Sequence, residues 1–305
     1  SPSAAVWCAL SAFVLLAGCA TGPGKEDGAA PADAEATDPA DDESAKEGTL
    51  GAAVRRLEKE NGPGIVVMNG LESREVGSLD KVPPAELVAT LATRAKCAVQ
   101  QNEGYAFLYP DQAPYTTLLG ISLQDKLDDS CRTLKADVSL GPRTPLFNAA
   151  LLLNEVLGRN LVVDNILAEQ SCGATFMREV SLQTALEAIL KSSRTVGFTV
   201  QATDEFVFLA GSQSRSGGEL MLHRDQLDDA GRALLDKRVN VCLPAPPEAP
   251  GRVLVRAGAS SLRQTLPVLS EQLGIRVTAE PALMDYPVIP FALKNVRVST
   301  AVELL

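Results

Sequence analysis

Residues 145–189 lie over residues 261–305 without a gap, across 45 positions. Leu146 meets Leu262, Leu153 meets Leu269, Leu157-Gly158 meets Leu273-Gly274, and Leu167 meets Leu283. Val180 then meets Val296, Thr184-Ala185 meets Thr300-Ala301, and Glu187 meets Glu303. An earlier copy opens at Leu50. It sets Leu50 on Leu146, Leu57 on Leu153, Gly62 on Gly158, Ile65-Val66-Val67 on Leu161-Val162-Val163, Asn69 on Asn165 and Leu71 on Leu167. Its closing part starts at Cys97, with Val99-Gln100 on Val200-Gln201 and Phe107-Leu108 on Phe208-Leu209. Such self-similarity confines the chain to copies of one supersecondary unit. By the length of the second copy, about twenty residues that would close the third are absent.

The second copy shows what one unit is. Leu146, Ala149, Ala150, Leu153 and Leu157 recur at helical spacing, and Gly158 is a stop that adopts the left-handed conformation at little cost. Leu161 to Val163 reads as a short buried strand and Phe176 to Val180 as a second. Ser181 caps a helix striped by Leu182, Ala185, Leu186, Ile189 and Leu190. Gly197 ends the following turn. Phe198 to Gln201 and Phe206 to Leu209 form a hairpin across residues 202–205, and Val138-Ser139-Leu140 supplies a leading strand. The order β-α-β-β-α-β-β predicts an α+β fold of tandem small modules. In the third copy, the closing VRVSTAVELL reads as a strand through Val296 and Val298, with Ser299 capping a helix that stops at Leu305. Leu305 is then no natural end, and the third module, lacking its hairpin, is expected to be the least stable.

The Leu-rich first helix ending in Leu-Gly, the Val-rich strand and the Ser-Leu-x-x-Ala-Leu second helix resemble the secretin and TonB N-terminal short domain. The resemblance spans about 170 of the 305 residues in three copies. The first copy departs from the pattern. Pro83-Pro84 replaces Ser181-Leu182 at the second helix, which leaves a helix start with a different cap. No leading strand precedes it, so its sheet is expected to be one strand short. Connectors repeat as well: KLDDSCRTLKADVSLGP from Lys126 resembles QLDDAGRALLDKRVNVCLP from Gln226, each a short helix feeding a strand. Gly211-Ser212 to Gly217-Gly218 reads as a hinge and Pro244 to Pro250 as a stiff spacer. Two arrangements stay open, beads with limited contact or connectors packed between modules as extra strands.

Ahead of the repeats, the apolar run Ala9 to Leu16 leads into Leu16-Ala17-Gly18-Cys19, and is too short to span a bilayer as a mature helix. It resembles the lipobox of bacterial lipoproteins, which implies cleavage before Cys19, acylation of its thiol and, with Ala20 following, outer-membrane sorting. The competing reading is a plain secretory signal with an incidental cysteine. No Met and no basic residue precede the run, so the start looks clipped. Of the net charge of −10, −7 falls between Ala20 and Leu50, from nine acidic and two basic residues. That Ala/Pro/Asp/Glu-rich stretch cannot bury enough apolar surface to offset its ordering entropy and reads as a disordered tether. The resulting division is signal 1–18, tether 19–49, module one 50–110, connector 111–135, module two 136–210, connector and spacer 211–251, and module three 252–305.

Little in the sequence points to chemistry. The remainder is near neutral with no basic patch, and aromatic content is 4%, which argues against nucleic-acid binding. The one histidine, His223, sits in a connector and reads as a surface residue; with no Cys-x-x-Cys, no metal and no cofactor are expected. Ser78-Leu79-Asp80-Lys81 fits S-x-x-K without its partner motifs and reads as a loop. Gly62-Pro63-Gly64 lacks the Lys-Ser/Thr of a phosphate loop, and Glu187 and Glu303 read as solvated helix faces. Cys97, Cys131, Cys172 and Cys242 occupy unmatched positions, so no disulfide is shared between copies, and free buried thiols stand beside three possible pairings. No small-molecule substrate is evident, and the expectation is a protein that is not an enzyme. The resemblance implies an envelope protein on a lipid anchor whose modules contact other envelope proteins by strand addition or self-assemble into a ring, as in the periplasmic part of a secretin-like export channel. Signalling, as in TonB-dependent receptors, and an envelope enzyme with its catalytic domain beyond Leu305 are the alternatives.

Overall fold

The computed structural model describes residues 47–60, 62–112, 115–212, 227–243 and 260–304. The signal with Cys19, the tether to residue 46, most of the second connector with His223, the PAPPEAP spacer and Leu305 lie outside the described residues.

The first copy comprises α1 (Leu50–Lys59), β1 (Ile65–Val67), α2 (Leu87–Ala95) and the hairpin β2 (Ala98–Asn102)–β3 (Tyr105–Tyr109). The short helices α3 (Thr116–Leu119) and α4 (Ser130–Thr133) connect it to the second. That copy runs β4 (Lys135–Leu140), β5 (Thr144–Pro145), α5 (Leu146–Leu157), β6 (Leu161–Val163), α6 (Asn165–Ala168), β7 (Ser171–Cys172) and β8 (Thr175–Ser181). It closes with α7 (Leu182–Ser192), β9 (Phe198–Ala202) and β10 (Val207–Gly211). Then come α8 (Asp229–Asp236), β11 (Arg238–Leu243), β12 (Ser260–Ser261), α9 (Leu262–Leu273), β13 (Pro287–Val288), β14 (Phe291–Arg297) and α10 (Val298–Glu303). Helices over mixed sheets make this an α+β fold.

Local chemistry follows the sequence closely. Both apolar stripes of the second copy are buried on α5 and α7. Gly158 and Gly274 end α5 and α9 at φ 65° and 67°, in the left-handed region. Ser181 accepts from the Thr184 amide at 3.2 Å. At Pro83-Pro84 a 3₁₀ turn over Pro84–Glu86 enters α2 with no side-chain cap.

The closing segment differs from the sequence reading. β14 continues to Arg297, and α10 begins at Val298 with Arg297 as its N-cap; Ser299 is a buried residue of the first turn. Val298 is fully buried, as Leu182 is in α7, so core packing rather than the serine sets the helix start.

The larger difference lies in how copies join. The first sheet has the order β2-β3-β1-β8-β4, so two of its five strands belong to the second copy. β1 is buried throughout, runs parallel to β3 on one edge, and takes β8 antiparallel on the other. A buried strand must pair its backbone groups on both edges, and the next copy supplies the second partner. The first sheet is therefore not one strand short. The modules are not beads with limited contact, because a sheet crosses the expected boundaries at 110 and 136. One apolar core accordingly runs from Leu50 through Leu209.

The plan repeats one copy later. β6 pairs parallel to β10, with Leu161 opposite Val207 as Ile65 is opposite Ala106. β11 pairs with β14 as β4 pairs with β8, each with a bulge at the same place. There the Asp137 side chain accepts from the Glu179 amide (2.9 Å) and the Asn240 side chain from the Asn295 amide (2.8 Å). Glu179 and Asn295 share a left-handed φ of 47° and 55°. In the third copy, residues 277–279, the counterparts of β1 and β6, form no strand. β1 and β6 each pair in parallel with the hairpin strand of their own copy, β3 and β10.

Candidate functional site

The two joints between copies gather many of the buried polar and close-packed groups among the described residues. Each joint sets a hairpin tip and a short buried strand of one copy against the strand pair and second helix of the next. Three positions decide how each joint is made.

At the first joint they are Gly64, Gly104 and Gly173. A Cβ on Gly173 would overlap the Val67 carbonyl oxygen and sit 2.8 Å from the Asn69 amide nitrogen. Only glycine lets β8 approach β1, and the Val67 amide then donates to the Ala174 carbonyl at 2.9 Å. A Cβ on Gly64 would likewise overlap the Gly104 carbonyl. Around this seam α7 is fixed by polar contacts. Lys191 is 3% exposed and donates to Gln100 (3.3 Å) and Asn102 (3.2 Å) of β2. Burial lowers its pKa, which the charge of Glu187 partly offsets. Glu187 is not a solvated face. It is half-buried and accepts from the Leu123 amide at 2.6 Å and from Gln183 at 3.1 Å, which holds the connector against α7.

Glu72 lies beside Gly173, 4% exposed, and accepts from the Gly70 amide at 2.7 Å. Burial raises its pKa, against the opposing pull of nearby backbone amides and the Arg143 charge. A carboxyl whose pKa is raised on folding favours the folded state most when protonated, and that contribution is lost as pH rises through the raised value. Glu72→Gln is thus expected to gain stability over the parent chain as pH is taken from acid to neutral. Melting both proteins at pH 5 and pH 8 checks this; an unchanged difference would contradict it.

At the second joint the three positions are Asn160, Glu205 and Ile289. β14 lies beside β6 without a backbone ladder, and no hydrogen bond joins Val163 to Pro290, the counterparts of Val67 and Ala174, among the described residues. Ile289 stands where Gly173 allows close approach, so the strands are held apart. Side chains span the gap. Asn160 donates to the carbonyls of Glu205 (2.8 Å) and Lys294 (2.9 Å) and accepts from the Lys294 amide (2.7 Å). Asn154 donates to Leu161 (3.1 Å) and Ala292 (3.0 Å) and accepts from the Leu161 amide (2.6 Å). Asn154→Leu would strand these backbone groups and is expected to cost about 2 kcal/mol in a denaturant titration.

Glu205 completes this joint. Its side chain is 3% exposed at the start of α10, where it accepts from Arg297 Nε (2.9 Å), the Arg297 amide (3.5 Å) and the Thr300 hydroxyl, and pairs with Arg238 at 3.3 Å. A residue of the preceding copy therefore clasps the start of this helix through the Arg297 amide and the Thr300 hydroxyl, whereas Ser181 caps α7 from within its own copy by accepting from the Thr184 amide.

No family model, no curated protein and no solved structure matches this chain. Its joints must be read from their own geometry.

The other sequence candidates are not brought together. Ser78 donates to Asp80 at 2.6 Å, and Asp80 pairs with Arg56, which makes this segment a surface loop. Glu303 is exposed at the end of α10. The four cysteines are free thiols, and burial pushes Cys172 up to about 12, far from a reactive thiolate. Among the described residues no group of three or more His, Cys, Asp or Glu could hold a metal ion, and no helix is long and apolar enough to cross a membrane. Cys19 and His223 lie outside the described residues.

Proposed function

We propose that this chain is a non-enzymatic assembly protein of the bacterial cell envelope, carried on the periplasmic face of the outer membrane by a lipid on Cys19. Its modules contact other envelope proteins or further copies of itself in a ring, as the periplasmic N-domains of a secretin-like export channel. The observation that carries the reading is the first sheet, where one copy supplies β8 and β4 to complete the sheet of another. Modules that complete one another's sheets suit a protein whose work is association by strand addition. Cross-linking the full-length gene product in cells, followed by recovery of the outer membrane, tests it. A ladder of oligomers or a defined envelope partner is expected, and an exclusively uncross-linked species would overturn the assembly reading. The anchor has its own check: Cys19→Ser should abolish palmitate labelling, and a persisting label would contradict it.

A further inference from the structure

A lysine is seldom enclosed in a protein, because taking its ammonium out of water is costly unless an anion meets it. Lys191 is enclosed all the same, and its Nζ donates to side-chain amides, the oxygens of Asn102 (3.2 Å) and Gln100 (3.3 Å) on β2. Burial lowers its pKa, which favours the free amine, and a desolvated lysine amine is a nucleophile. The Asn102 amide is held in place. Its nitrogen donates to the Gln100 backbone carbonyl at 3.1 Å, and its backbone pairs with Tyr105 across the hairpin. An amine and a carboxamide kept in contact are spared the loss of translational freedom that hinders their reaction in solution. A proton acceptor stands one turn before the lysine. Glu187 shares its helix face, and the Glu187 charge acts on both Lys191 and Tyr105.

We propose that Lys191 and Asn102 form an intramolecular isopeptide bond, which ties β2 of the first copy to α7 of the second. The Lys191 ammonium passes a proton to the Glu187 carboxylate, and Nζ attacks Asn102 Cγ. The Nζ–Cγ bond forms as the Cγ–Nδ2 bond breaks. The leaving nitrogen takes the proton held by Glu187 and the one that Nζ sheds, and departs as ammonium. Glu187 is restored, and no oxidant or reductant takes part. The second copy carries Thr203 at the hairpin position of Asn102, which offers no carboxamide, so the bond belongs to the first joint.

The test is mass spectrometry of the purified full chain after denaturation and digestion with trypsin. Residues 97–126 joined to residues 179–194 are expected, lighter than the two separate peptides by one ammonia, with fragmentation placing the branch between Lys191 and Asn102. Lys191→Arg and Asn102→Ala should give the separate peptides, and Gln100→Ala should keep the branch. Glu187→Gln, whose amide oxygen can still accept from the Leu123 amide, should cut the linked fraction about tenfold. Separate peptides alone from the parent chain, a branch at Gln100, or a linked fraction in Glu187→Gln equal to that of the parent would overturn the proposal. The parent chain gives the deciding result, so it does not depend on how well a variant folds. The bond lies within one chain, and its absence would leave the proposed function standing.

Discussion

Gly173→Val is expected to open the first joint and to destabilise the first two repeats together by roughly 3 kcal/mol or more, since overpacking and a lost strand pairing add. The added atoms have nowhere to go. One side is the Val67 carbonyl, another the Asn69 amide, and the third the Glu72 carboxylate at 2.9 Å from the Cβ position. Backbone cannot move aside as a flexible side chain can, so β8 must leave β1. Because one core runs through both repeats, the effect should appear as a single lowered transition in thermal unfolding monitored by circular dichroism. A melting temperature within a degree or two of the parent would mean that the strands are not as close as described. Ile289→Gly, the reverse exchange at the second joint, should also destabilise, there by emptying a buried core position rather than by overpacking.

Glu205→Ala is expected to loosen the third repeat selectively, at a cost of about 2 kcal/mol. The carboxylate is buried, but Arg238 and Arg297 are 49% and 42% exposed and regain water once it is gone, which keeps the loss below that of a fully buried pair. The α10 start would lose its acceptor, since Arg297 offers no side-chain cap of its own. Hydrogen exchange should show faster exchange in α10 and β14 with α7 and β8 unchanged. Uniform change along the chain would contradict a local clasp.

Much of the fold is legible in the sequence because it rests on local signals. The helix stripes, the Gly158 and Gly274 stops and the Ser181 cap are decided within a few residues of themselves. What is not legible is which copy each strand serves. β4 and β8 read identically whether they pair within their own copy or with β1, since the apolar alternation is the same. The joints show the same limit. Gly64 against Asn160, Gly104 against Glu205 and Gly173 against Ile289 are visible as mismatched columns between copies. They gain meaning only when each is seen to face a neighbouring copy. Ser299 misled as a cap because its chemistry fits, while the burial of Val298, set by distant packing, decides the helix start. Glu187 misled in the opposite sense, because its donor, the Leu123 amide, is 64 residues away in the chain.

The central claim is that one plan is joined twice, once by a backbone ladder and once by side chains. Native-state hydrogen exchange at two equivalent amides tests it most directly. Val67 donates to Ala174 across the first joint, and among the described residues its counterpart Val163 has no such acceptor across the second. Val67 should exchange only through the opening that unfolds the shared core, and Val163 should exchange faster by about two orders of magnitude, the value of one protected hydrogen bond and its ladder. Equal protection of the two amides would contradict the account.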